Sequence, residues 1–370
     1  MNLLDYLYTP SLDSYQLKNG EFYNDDNILR DNTFSKLDFS KIEVSLLGVP
    51  FAEDNSYDSR FVDSVRSELA KLASIPAVTS VLDIGNLVQG KTLNDTLTAL
   101  ENVVTFLHKH NVFVIVISDL KLVIKSFLES LGEGNYIKIV QVNPRFSIYD
   151  TLDYLSKQNQ KNLYYTNIGY QSYYIYQRQL NRLNNNNFDS YRLGEARKHL
   201  PEIEPIIRDS ITIDISLNSL KQQEAPGQRV IAPNGFYSEE ICQIAKYAGA
   251  GDFLKIANIS GFQACPDVQT AKLTAQIVWF IIEGYGCRVT EDPANDLHIK
   301  KFNVNSGGPA DKIVFYKSDK TERWWVEIPQ GSEEKKIMLP SNYKDYIEAC
   351  NKQIPDRFFK AMQKYNFRDE

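Results

Sequence analysis

"SITIDISLNSLKQQEAPG" (residues 210–227) is the stretch on which the reading of the chain turns. Ile211, Ile213 and Ile215 alternate with Thr212, Asp214 and Ser216, the period of two that marks a short strand. The alternation puts Asp214 and Ser216 on one face, two residues apart, at the strand's C-terminal end. In an open α/β sheet, ligands bind beyond the C-terminal ends of the strands. An acid and a hydroxyl in that place are either half of a metal site or what is left of one.

Outward from this strand, apolar and helix-periodic stretches alternate over about residues 42–287. "EVSLLGVP", "SVLDIGNL", "VFVIVISD", "YIKIVQVN", "NLYYTNIGY", "FDSYRLGEAR", "SITIDIS" and "DFLKIANISG" read as eight strands. Helical spacing fills the gaps: Phe61, Val65, Leu69 and Leu72 share a face, as do Leu93, Leu97, Leu100, Val104 and Leu107. Thr92 or Asn94 is the expected N-cap of the second helix, and Asn111 its stop. Strands separated by helices imply βαβ crossovers and a mainly parallel sheet with helices on both faces. Residues 1–40 form an N-terminal extension of weak periodicity, 41–289 one α/β domain, and 290–370 a C-terminal extension. In that extension "KIVFYKSDKTERWWVEIP" reads as a hairpin around "SDKTE", and "SNYKDYIEACNKQI" as a helix. "NRLNNNNFDS" reads as a loop, and "NSGGPAD" and "GEGNY" as loop and helix stop rather than phosphate cradles.

The 370 residues, 43% of them hydrophobic, suffice for a sizeable core. A net charge of -6 argues against a general nucleic-acid binder. The start lacks the basic and apolar regions of a secretory signal, and no uncharged apolar run is long enough for a membrane span. Cys242, Cys265, Cys287 and Cys350 form no CxxC pair and read as reduced, mostly buried thiols, so a cytoplasmic location is expected.

In "LLGVPFAEDNS", "LDIGNLVQGKTLNDTLTAL", "VFVIVISDLK", "NIGYQSYY" with "YRLGEAR", "TIDISLNSLKQQEAPG", "APNGFYSEEICQIAKYAG" and "QTAKLTAQIVW" the chain resembles the ureohydrolase superfamily of arginase, agmatinase and formimidoylglutamase, the last most of all. The stretches follow the family's order over about two thirds of the chain. The resemblance implies a three-layer arginase-like α/β fold with an eight-stranded, mainly parallel sheet, often in an oligomer. It also implies hydrolysis of a guanidino or formimino group by two bridged Mn²⁺ ions, which activate a water between them.

The ligands that the resemblance implies are mostly replaced. Where the family has GGDHS, this chain has "ISDLK": Asp119 matches, but Leu120 stands at the histidine. Where it has DAHxD, "NPRFS" puts Asn143, Arg145 and Ser147 at the three ligand positions. Where it has SxDxD, Asp214 matches and Ser216 replaces the second acid. One of six ligand positions is thus kept, and no Glu lies between Gly251 and Ile282 to replace another acid. His108 and His110 close a helix, where a capping or solvated role suits them, and His199 and His298 lie in charged or C-terminal stretches. No manganese is therefore expected to bind, although the family would call for it.

Asp214 is then expected to be hydrogen-bonded or ion-paired inside an inherited pocket. Arg145, planar and always charged, could replace the lost cations with Asp214 and Asp119 as partners, or it could face solvent. Lys121 reads as an exposed first-turn residue, and Ser147 and Ser216 lack the histidine base of a nucleophile. The tyrosines of "YQSYYIYQRQL" suit partner packing or a pocket rim. Trp324 and Trp325 are adjacent in a strand and must face opposite ways, which makes them interface candidates unless the neighbouring domain covers one. The expected function is a non-catalytic binding or assembly protein with a protein partner or a second copy of itself, and no nucleic acid or membrane. The alternatives are a working formimidoylglutamase-type hydrolase and a small-ligand sensor using the old pocket.

Overall fold

The computed structural model describes residues 3–9, 22, 37–50, 58–78, 80–120, 123–131, 137–146, 163–186, 188–263, 267–305, 312–330 and 335–366. Most of the N-terminal extension, Lys121, Ser147, Cys265, "GEGNY" and all of "NSGGPAD" after Asn305 lie outside them. The strands of the large sheet are β1 (Leu7–Tyr8), β2 (Val44–Val49), β3 (Val81–Leu87), β4 (Phe113–Ser118), β5 (Ile137–Val142), β6 (Leu163–Tyr170), β7 (Asp189–Arg192), β8 (Thr212–Ser216) and β9 (Ile256–Ser260). Their order is β1-β3-β2-β4-β9-β8-β5-β6-β7. The eight strands read from the sequence pair in parallel. The ninth, β1, adds an antiparallel edge of two residues from a stretch too short to show periodicity.

Helices α1 (Arg60–Leu69), α2 (Leu93–Lys109), α3 (Val123–Leu131), α4 (Gln177–Asn185), α5 (Leu193–Lys198), α6 (Glu204–Ile207), α7 (Ser238–Gly249) and α8 (Val268–Gly286) occupy the connections. Thr92 caps α2, accepting from Asp95 N, and Asn111 ends it at φ 59°. The start of the Asn-rich "loop" is helical in α4, because Leu180 and Leu183 fall on one side and Leu183 is buried. Alternate strand residues feed two separate cores. Phe113, Ile115, Ile117, Ile213 and Ile215 pack with α1, α7 and α8, while Val114, Val116, Ile139 and Ile256 pack with α2 and α3. β4 is buried along its whole length for this reason. α7 and α8 cross closely at Gly249 and Gly284: a Cβ on Gly249 would lie 2.0 Å from Ile281 O. Glu283, unexpected in so apolar a helix, pairs with Lys246 across that crossing at 3.0 Å. No helix among the described residues is long and apolar enough to cross a membrane.

The C-terminal region is larger than a hairpin and a helix. β10 (Ile299–Asn305), β11 (Lys312–Ser318), β12 (Trp324–Gln330) and β13 (Lys335–Ser341) form an antiparallel meander, followed by α9 (Tyr343–Cys350) and α10 (Asp356–Asn366). The outer strands escaped the sequence pattern because lysines crowd β10 and Pro340 interrupts β13, as an edge strand permits. Trp324 and Trp325 do face opposite ways, yet neither is presented outward: they are 8% and 5% exposed. Trp324 packs with Phe302, Phe315 and Tyr346 of the meander and α9. Trp325 packs with Val314 and Tyr316, and the Arg208 guanidinium of the large domain sits 5.1 Å over its ring. The interface they serve lies within the chain.

Arg323 fastens this region to the large domain. Its guanidinium donates to Asp252 Oδ1 at 3.1 Å, Ala250 O at 2.9 Å and Val289 O at 3.2 Å. Replacing Arg323 by alanine is expected to lower the unfolding free energy by about 2 kcal/mol, the worth of a largely buried charged hydrogen-bond cluster. Urea unfolding of parent and variant measures it, and a midpoint unchanged by the substitution would refute the docking role.

Candidate functional site

Asp214 lies at the C-terminal end of β8, in the middle of the sheet, 6% exposed. Register aligns it with Gln141 of β5 on one side and Asn258 of β9 on the other. In-register neighbours of a parallel sheet point to the same face, here the α2/α3 face. Gln141 Nε2 donates to Asp214 Oδ2 at 3.2 Å and Asn258 Nδ2 donates to Oδ1 at 2.8 Å. Tyr165 Oη in turn donates to Gln141 Oε1 at 2.9 Å, which fixes the orientation of that amide. Burial pushes the Asp214 carboxyl above its ordinary value, and the donors Asn258, Ser260 and Gln141 pull against it. The expected hydrogen-bonded acid is therefore present. Its partners are two neutral amides on the adjacent strands and the Ser260 hydroxyl.

Asp119 follows β4. Gly261 N donates to its Oδ1 at 2.7 Å, and Arg229 Nη2 lies against Oδ2, off the direction of a good hydrogen bond. Burial raises the Asp119 carboxyl to about 6; Arg229 and the Gly261 N–H oppose this, and the nearby Asp214 charge adds to it. Arg229 comes from the loop after β8, two residues beyond the Gly227 that closes the decisive stretch.

Arg145 does not take the role offered to it. It is exposed, its guanidinium lies 4.4 Å over the Tyr174 ring, and it forms no ion pair with Asp119 or Asp214. The local chain explains this: Asn143 Oδ1 accepts from Arg145 N at 3.0 Å, a turn across Pro144 that aims the side chain out. A guanidinium does neutralise a site acid, but it is that of Arg229. Leu120, 4% exposed, and Phe146, 3% exposed, join the apolar core beneath α2 and α3, so the position that the resemblance matches to a histidine is part of the packing. Ser216 is buried beside Gly261, whose hypothetical Cβ would lie 2.5 Å from the Ser216 Oγ.

The histidines stay apart from the acids: none hydrogen-bonds or ion-pairs with Asp119 or Asp214. His199 pairs with Glu202 at 3.1 Å and His298 with Glu291 at 3.0 Å. His108 is half-buried and, contrary to a solvated or cationic role, burial lowers it to about 4. Of the three described cysteines only Cys242 is buried, while Cys287 and Cys350 are exposed.

The strand order, the two helical layers and the acids at the C-terminal edge settle the architecture. The fold is arginase-like. A Trypanosoma cruzi formiminoglutamase structure with Mn²⁺ superposes with a TM-score of 0.60 at 15% identity, covering 69% of this chain and 97% of that one. Formimidoylglutamase from Bacillus subtilis gives 0.59 at 16% identity, covering 73% and 95%. A hypothetical agmatinase from Burkholderia thailandensis gives 0.54 at 15%, covering 67% and 87%. No protein-family model and no curated protein matches the sequence, so the likeness is one of fold.

The donor set does not suit a pair of bridged divalent cations. Such a centre needs several anionic or imidazole lone pairs aimed into one space. Here both Asp214 oxygens accept from amides, Asp119 faces Arg229 and Gly261 N–H, and the described replacements are Leu120, Asn143, Arg145 and Ser216. Among the described residues no three His, Cys, Asp or Glu side chains group closely enough to hold a metal ion. Gln141, Asn258 and Arg229 escaped the sequence reading. A lone amide inside "KIVQVN" and inside "IANIS" was the available signal, but only the strand order makes them neighbours of Asp214.

Proposed function

We propose that this chain is an arginase-fold protein that lacks the binuclear manganese centre and works by binding a ligand or partner rather than by hydrolysis. The observation that carries this reading is the amide–carboxylate–amide row of Gln141, Asp214 and Asn258. Each amide N–H takes one lone pair on one Asp214 oxygen, and together they offset the charge of Asp214 without a cation. Arg229 does the same for Asp119.

The test is manganese retention. Protein purified and dialysed after loading with Mn²⁺ is expected to hold far less than one ion per chain by elemental analysis, and its thermal midpoint should not respond to Mn²⁺. About two tightly held ions per chain, the stoichiometry of a bridged pair, would overturn the reading in favour of a working hydrolase.

A further inference from the structure

We infer that the cleft at the C-terminal ends of β6 and β7 binds a small organic oxyanion, a carboxylate or a phosphate ester, through Arg192 and Lys221. The cleft has a volume of about 570 Å³, the size of a small-ligand site, and lies where an open α/β sheet receives its ligands. Three cations from three different elements reach it: Arg192 ends β7, Arg197 lies on α5, and Lys221 follows β8. Arg197 is already matched, its Nε donating to both carboxylate oxygens of Glu240 at 2.9 and 3.0 Å. Among the described residues no ion pair holds Arg192 or Lys221. Glu195 is the one acid among the residues described as lining the cleft.

Arg192 donates to Ser172 Oγ at 2.8 Å, which steadies a guanidinium whose fork suits a carboxylate or phosphate. Lys221 Nζ stands 3.6 Å over the Tyr237 ring, and the two cations Lys221 and Arg197 hold the Tyr237 hydroxyl below its ordinary value. The walls are joined as well: Gln171 Nε2 donates to Asn234 O at 3.1 Å, tying the end of β6 to the loop after β8. In a chain of net charge -6, two cations that no ion pair holds among the described residues are a local reversal of sign in one braced cleft.

The test is calorimetric titration of the full chain with glutarate, glycerol phosphate and the neutral glutaramide. One or both anions should bind saturably with a dissociation constant near or below about 1 mM, and glutaramide should not. Whichever anion binds names the headgroup. Arg192→Ala and Lys221→Ala should each weaken binding about 10- to 100-fold, the loss of one charged hydrogen bond, with unchanged circular dichroism. Lys300→Ala, whose parent residue pairs with Asp319 elsewhere, is the control for bulk charge and should leave affinity intact. Saturable binding by neither anion, or binding that survives both cleft substitutions, overturns the proposal. The proposal stands apart from the metal question: manganese retention would sink the binding-only reading and leave this one, whereas failure of both anions sinks this one alone.

Discussion

Replacing Arg66 by methionine is expected to lower the unfolding free energy by about 3–5 kcal/mol, because it takes the cation away from a buried carboxylate. Arg66 on α1 and Asp83 on β3 have side chains with no exposure at all. The guanidinium donates to Asp83 Oδ2 at 2.8 Å, Asn86 Oδ1 at 2.7 Å and Gly85 O at 2.8 Å. It satisfies in one stroke an acid, an amide and a carbonyl at the end of β3. Methionine fills much of the volume but donates nothing, so the acceptors at the end of β3, and Asp63 at 3.2 Å, lose the guanidinium in a dry environment. Arg66→Met with Asp83→Leu should recover most of the loss, since a buried pair replaced by apolar side chains is close to neutral. Urea unfolding of the three proteins decides it; a single-variant loss below about 1 kcal/mol would mean that water reaches Asp83.

The second large effect is a pH dependence of unusual sign. Most carboxylates are held low in the folded state and stabilise a protein as pH rises. Asp119 is raised from an ordinary 3.8 to about 6. Between those values the folded chain binds more protons at this group than the unfolded chain does, so its contribution is greatest below about 4 and is lost as pH rises through 6. The difference corresponds to roughly 3 kcal/mol at neutral pH. Burial acts on Asp214 in the same direction. Asp119→Asn keeps an acceptor for Gly261 N and removes the titration. The stability difference, variant minus parent, should therefore grow from near zero at pH 4 towards pH 7. Urea midpoints of both proteins across that range measure it, and a flat difference would show that Arg229 fully offsets the burial.

The large sheet was legible in the sequence because its strands carry period-two or wholly apolar patterns and its helices carry broad apolar stripes. β4 and β8 needed nothing beyond their own residues. What failed to show were pieces stabilised by remote partners. β10 and β13 become strands because β11 and β12 pair with them, and α4 because the α2/α3 core receives Leu183. The same division runs through the site. Asp119, Leu120, Asp214 and Ser216 could be placed from their strands. Arg145 could not, because the Asn143 turn decides where it points, and Arg229 could not, because only the folded loop after β8 brings it to Asp119.

The row of Gln141, Asp214 and Asn258 also works as a register key. These residues come from three strands far apart in the sequence, and each hydrogen bond in the row requires its two strands to be aligned to the residue. A slip of β8 by one position would turn Asp214 into the apolar layer beneath α1, α7 and α8 and leave two amides facing isoleucine. β4 is apolar along all but its last residue and by itself would pack almost equally well one step out of phase. A single buried acid between two amides makes one alignment much cheaper than its neighbours, and so gives the centre of the sheet a unique answer.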